Sequence, residues 1–234
     1  MENKKTILVI IIVLILIIGL VVISYMYSSY NRNQLNLLTD ETNLLLKSDI
    51  LSEDINSEIK TEKNYAIVEK SIKEYLLKLN NIYTNIDELY NQINPNDIFT
   101  AKNIEDKNFD EIDSIIADYK EKGQNSLSEY QELVKEGNIT SNIKEKNISS
   151  RQDYYINLYN TVMLSDVMKE KYSSIENEIE RKKDELNTKL DKLEKIKEYL
   201  EENEKYWTIK EDKIQFNNVN KMTEYYGLLN KIED

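Results

Sequence analysis

Apolar residues are laid out along this chain in two regimes. From Ile7 to Ile23 they are continuous, ILVIIIVLILIIGLVVI, without a charge. Beyond that point they recur at helical spacing on an otherwise polar chain. Crossing a hydrocarbon core of about 30 Å takes about 20 apolar residues, and Thr6–Met26 has that length. A run that is apolar all round has no polar face for a surface helix and is longer than a globular core usually accepts. It also exceeds the roughly 7–15-residue apolar region of a cleaved signal peptide. Its exit, Val22-Ile23-Ser24-Tyr25-Met26-Tyr27, offers no small-x-small cleavage site. Residues 6–27 are therefore predicted to form an uncleaved signal-anchor transmembrane helix in contact with the lipid bilayer, behind a cytoplasmic head at 1–5. Gly19 has Ile at positions 15 and 23, so the span carries no Gly-x-x-x-Gly packing motif.

Lys4 and Lys5 precede the run, whereas Arg32 is the only basic residue after it until Lys47. That asymmetry places the N-terminus in the cytoplasm and the rest outside. Tyr25, Tyr27 and Tyr30 follow where an interfacial aromatic belt would lie. Residues 28–49 carry only a partial leucine stripe and read as a juxtamembrane stalk or a helical extension of the span.

The second regime predicts a helical domain over 50–205. Ile72, Leu76, Leu79, Tyr83, Ile86, Tyr90 and Ile93 alternate four and three apart, a heptad stripe. It places a helix over about 50–93, ended by Asn94-Pro95. Asn94–Asn108 reads as a loop with an apolar patch at Ile98, Phe99 and Ile104. A second helix, about 109–136, buries Phe109, Ile112, Ile116, Tyr119, Leu127, Tyr130 and Val134. Gly123 weakens its middle and Gly137-Asn138 stops it. The stretch 139–149 is ambiguous. Ser150-x-x-Asp153 resembles a capping box and opens a third helix, about 150–203, with Met168, Tyr172, Ile175, Ile179, Leu186, Leu190, Leu193 and Leu200 on one side. Its outer face pairs Glu178 with Lys182, Glu185 with Lys189 and Asp191 with Lys195. The first and third helices are expected to form the main seam, with the second beside them. Over 206–234 the pattern changes. Tyr206–Lys210 and Lys213–Phe216 alternate around Glu211-Asp212, a β-hairpin signal. A short helix with Met222, Tyr225, Tyr226, Leu229 and Ile232 on one side follows.

Composition narrows this picture. Four glycines and one proline in 234 residues cannot supply the turns of an all-β fold. The chain has no Cys and no His, which removes disulfides, thiol catalysis, zinc-cysteine sites and the commonest general base. Residues 1–27 hold Glu2, Lys4 and Lys5; the chain totals −12, so residues 28–234 carry −13. An acidic domain is a poor ligand for nucleic acid. Asp106-Lys107-Asn108-Phe109-Asp110 has the opening spacing of a calcium loop, but Glu111 and Ala117 stand where Gly and a bidentate Glu belong. It reads as an acidic helix start. Asn138-Ile139-Thr140 and Asn147-Ile148-Ser149 have the form of glycosylation acceptors and arise readily by chance in an Asn-rich chain. The carboxylates recur on solvent faces and no phosphate loop or nucleophile elbow is present, so no catalytic, cofactor-binding or metal residues are assigned. Most of the 17 tyrosines fall on apolar stripes. Tyr154, Tyr155, Trp207, Phe216, Tyr225 and Tyr226 remain as partner-contact candidates, Trp207 and Phe216 also being candidates for plugs capping the bundle.

The sequence thus predicts an all-α chain: an N-terminal transmembrane helix, an elongated helical bundle or antiparallel coiled coil, and a small C-terminal hairpin with a short helix. The expected role is a non-enzymatic scaffold, adaptor or accessory subunit at the bacterial cell envelope, acting through a protein partner or self-association, without a cofactor. Two rivals share the architecture. One is a sensory or regulatory ectodomain, which would need a membrane partner because the five-residue head holds no output domain. The other is a cytoplasmic coiled-coil protein of reversed orientation. An envelope hydrolase is disfavoured by the missing His, Cys and motifs.

Overall fold

A computed structural model describes the backbone of residues 2–51, 55–211 and 213–233, with their side chains except at 2–17, 105, 106 and 233. Helix α1 runs unbroken over Glu2–Lys47. Residues 28–47 thus continue the N-terminal helix instead of forming a separate stalk. Among the described residues no helix is long and apolar enough to cross a membrane. The stretch 6–27 falls largely on residues whose side chains lie outside that set. Within the described part, Ile18, Leu20, Val21, Val22, Ile23, Tyr25, Met26 and Tyr27 are all exposed.

Three long helices make the bundle: α2 (Lys63–Gln92), α4 (Asp110–Leu133) and α7 (Asp166–Glu202), with the four-residue α3 (Pro95–Ile98) and a 3₁₀ turn (Lys102–Lys107) between α2 and α4. Contacts between their side chains fix the directions. Asp87 meets Lys182 and the Tyr90 carbonyl accepts from Lys189, so α2 and α7 run parallel. Lys120 meets Glu194 and Tyr130 meets Tyr172, so α4 runs antiparallel to α7. The heptad positions Ile72, Leu76, Leu79 and Ile86, and Ile179, Leu186, Leu190 and Leu193 opposite, are buried. Burying each such side chain contributes about 1.5–3 kcal/mol.

The expected contact of first against third helix is present, α2 on α7, but the most extensive packing is of the second helix, α4, on α7. Helix α4 lies against both α2 and α7. Gly123 in α4 removes the side chain that would hold α7 away, so it sits at a close approach and not at a weak point. The acid–base pairs read as lying along α7 take other partners, some across helices and some on α7 itself. Lys182 goes to Asp87, Lys120 to Asp191 and Glu194, and Arg181 takes both Glu178 and Glu185.

Three boundaries move as well. The first bundle helix begins at Lys63, not near 50. Residues 55–62 are irregular because the carboxylate of Glu69 accepts the backbone N–H groups of Lys60 and Thr61 at 2.9–3.1 Å. The third helix is two helices, α6 (Gln152–Met163) and α7, because Ser165 interrupts it. Its hydroxyl donates to the Val162 carbonyl (2.7 Å) and accepts from Met168 N–H (3.3 Å). That makes it both a stop and an N-cap. Residues 136–144 are helical (α5, Glu136–Lys144), so Gly137-Asn138 opens a helix where a stop was expected. Nor does Ser150 cap α6. Arg151 holds that position with φ 51° and no side-chain cap, while Ser150 accepts from Asn64.

Helix α1 ascends beside α2 in the same direction. Gln34 accepts the Glu62 N–H (2.7 Å), and Glu41 meets Lys73 (3.0 Å) further up. Residues 55–62 lead back to the level of Gln34, where α2 begins. Behind this return lies a buried polar cluster. Lys73 Nζ donates to Glu69, Glu41 and the Glu58 carbonyl. Glu69 also accepts from the Thr61 hydroxyl. Burial alone would raise the Glu69 carboxyl, but Lys73, the Lys60 N–H and Thr61 together hold it below its ordinary value. The cluster clasps α1 to the bundle.

Candidate partner-binding surface

The end of the bundle away from Tyr30 and Lys63 is closed by the hairpin and the last helix. Strands β1 (Trp207–Lys210) and β2 (Lys213–Phe216) pair antiparallel in the register Trp207↔Phe216 and Ile209↔Ile214. Glu211 supplies the left-handed backbone, φ 50°, that tight hairpins require. Helix α8 (Val219–Glu233) then runs back along α7, its Lys221 carbonyl accepting from the Tyr199 hydroxyl and its Lys231 carbonyl from Lys192.

Four of the sequence-predicted contact residues fall into two groups. Trp207 is 1% exposed, donates its indole N–H to the Leu200 carbonyl (2.7 Å) and sits edge-on to Phe109, rings 6.2 Å apart. Its ring fills the end of the core and has no free face for a partner, so the contact reading is withdrawn for this residue. Phe216, Tyr225 and Tyr226 come together on the outside of the hairpin. Their rings form a chain, 5.2 Å from Phe216 to Tyr225 and 5.5 Å from Tyr225 to Tyr226. Tyr225 is buried, which raises its hydroxyl well above the ordinary tyrosine value. Tyr226 is 51% exposed.

These three rings line a groove of about 670 Å³ between α3, β2 and α8, completed by Phe99, Met222 and Leu229. Sequence reasoning had Phe99 in an isolated apolar patch and Met222 on an apolar helix face. What joins them is the chain reversal at Asn217-Asn218, which lays α8 back across the hairpin. The walls are aromatic and aliphatic with a few polar groups, Asn96, Thr100, Lys213 and Gln215, at the edge. Such a lining suits an apolar side chain or short apolar segment with a polar rim.

Other surfaces fit chemistry less well. A depression of about 520 Å³ beside Tyr90 and Ile232 is lined by charges of α7, of which Arg181 and Glu185 pair with each other while Lys189 and Lys192 donate to backbone carbonyls. At the calcium-like stretch, Asn108 Oδ1 accepts the Asp110 N–H (2.8 Å) and Phe109 is buried, the geometry of a helix start; the Asp106 side chain lies outside the described set. Among the described residues no group of three or more Asp or Glu is placed to hold a metal ion. Asn138 turns its amide back onto Glu132.

A second aromatic cluster, at the opposite end, was legible in the sequence only in part. Tyr65, Tyr154 and Tyr155 meet edge to face, with ring separations of 5.1–6.5 Å. The doublet Tyr154-Tyr155 was visible in the sequence, but its partner Tyr65 lies 89 residues away. No protein family, curated protein or solved structure matches this chain.

Proposed function

We propose that this chain is a single-pass membrane protein whose helical domain stands outside the cytoplasm and offers its far end, without catalysis, to a protein partner. The carrying observation is the exposure of Ile18–Ile23 around α1, continuous in sequence with eleven further apolar residues. Exposed apolar surface of this extent needs an apolar solvent, and a bilayer supplies it over the required length. The domain then acts as a spacer. Thirty residues of α2 rise about 45 Å, which holds the Phe216–Tyr226 groove well clear of the membrane.

Two measurements test this. A C-terminal alkaline phosphatase fusion should be active in cells, and a cytoplasmic reporter at the same position should be active instead if the orientation is reversed. A photo-crosslinking residue at Tyr226 should capture a discrete partner that one at Glu180 does not. Equal labelling from both positions would remove the groove from the proposal. The clasp between α1 and the bundle supports a second reading, an ectodomain that relays a change to a partner within the membrane.

A further inference from the structure

The end of the domain from which α1 emerges is built around two basic residues in an unfavourable backbone conformation. Lys63 and Arg151 both have φ 51°, each at the start of a helix, and both are exposed. Left-handed backbone costs a non-glycine residue about 1–2 kcal/mol. They flank one junction. Asn64 donates to the Ser150 carbonyl (3.1 Å) and accepts from the Ser149 hydroxyl (3.2 Å). Lys63 Nζ lies 4.7 Å above the Tyr30 ring, and the Arg151 guanidinium lies 4.6 Å above the Tyr154 ring and against the Tyr27 hydroxyl. Among the described residues neither cation has a carboxylate within salt-bridge distance. The acids at this end are Glu62, which accepts from Tyr30 (3.4 Å), and the exposed Asp153.

Height along α1 says what these groups face. Tyr27 directly follows Met26, where the span of about 30 Å ends, about 1.5 Å along the helix; Tyr30 is about 6 Å along. The headgroup layer outside the hydrocarbon core is about 5–7 Å thick on each side. On the proposed span, Arg151 and Lys63 both lie within that layer. Tyr27, Tyr30 and Tyr154 accompany them as amphipathic rings suited to an interface.

We propose that Lys63, Arg151 and Tyr154 form a membrane-contact surface that binds phosphate-bearing lipid headgroups. The inference rests on the proposed span. The surface would set how the domain stands, because the remainder is acidic and repelled by an anionic bilayer. Two cations on a helix-tethered end bring that end down and leave the groove at the top.

The chain has no cysteine, so a nitroxide can be placed at one position at a time. Full-length protein carrying Gln152→Cys or Thr223→Cys is reconstituted into phosphatidylcholine vesicles containing phosphatidylglycerol. Flotation is scored first; if the protein stays with the soluble fraction, the proposed span fails and the membrane contact built on it falls with it. For floating protein, the label at 152 should collide more with oxygen than with a water-soluble nickel chelate, the signature of headgroup depth. The label at 223 should show the reverse. A label at 152 as aqueous as the one at 223, in protein that floats, overturns the contact. Adding Lys63→Glu and Arg151→Glu should move the label at 152 toward water while helicity and flotation persist. No shift would mean that the tether alone places this end, and the proposed binding by Lys63 and Arg151 is wrong.

Discussion

Gly123 of α4 faces Leu186 of α7 so closely that a methyl group on residue 123 would come within 2.9 Å of Leu186 Cδ2. Leu186 is fully buried, so its side chain can give way only by repacking against its neighbours. In an exposed helix Gly→Ala gains about 0.8–1.0 kcal/mol of propensity; here overpacking costs about 1–3 kcal/mol. Gly123→Ala should therefore lower the melting temperature. Gly137→Ala, with nothing within 4 Å of its added carbon, should raise it. Thermal melts of the full chain in detergent, followed by helical circular dichroism, check both signs.

Removing Glu69 should free α1 from the bundle. It is completely buried and joins Lys73, Thr61 and two backbone N–H groups. Truncating one partner of a buried ion pair costs about 3–5 kcal/mol. Glu69→Ala should show that loss, together with faster hydrogen exchange over 55–62. Because its carboxyl is held below the ordinary 4.5, this stabilisation is complete above that pH and disappears as pH falls through the lowered value. An acid titration of the Glu69→Ala variant should lack that part of the transition.

Stability should also fail on the alkaline side. Burial raises the hydroxyls of Tyr75, Tyr130, Tyr159, Tyr172 and Tyr225 well above the ordinary 10.0. Burial and Glu224 push Tyr199 up to about 12. The folded chain keeps protons that the unfolded chain releases from about pH 10, so stability is constant below that pH and declines above it. Tyrosinate absorbance should appear in two waves, exposed rings first, with the second wave coincident with loss of helix.

Trp207 and Tyr226 should respond oppositely. Trp207→Ala opens a cavity at the end of the core and removes the bond to Leu200, a loss of about 3–5 kcal/mol. Tyr226→Ala should leave the melt nearly unchanged and reduce capture of a partner. Loss of stability in Tyr226→Ala would assign that ring to the fold instead.

Heptad spacing made the buried faces of α2 and α7 legible, down to Leu79 and Leu190, because a packed helix repeats its apolar positions regardless of what it packs against. The hairpin was legible as well, since a switch to alternation is a local signal. The interruptions were not. Ser165 breaks a helix through a hydroxyl that could equally have pointed to solvent, and residues 55–62 are kept irregular by Glu69, up to nine positions downstream. The i, i+4 pair of Glu69 and Lys73 sits amid Val68, Ile72 and Leu76, and that placement was the available sign of a buried ion pair. The groove was half legible. Phe216, Tyr225 and Tyr226 stood out by type, whereas Phe99 joins them only through the path of the chain.

Because α1 and α2 ascend side by side, a pull along α1 toward its N-terminal end acts parallel to the shared interface. Gln34–Glu62 and Glu41–Lys73 are then strained together, not one after another as in a hairpin opened from its end. The arrangement resembles a lap joint loaded in shear. Force applied between the N-terminal end of α1 and the far groove would be borne by the whole overlap before any residue of α2 unwinds.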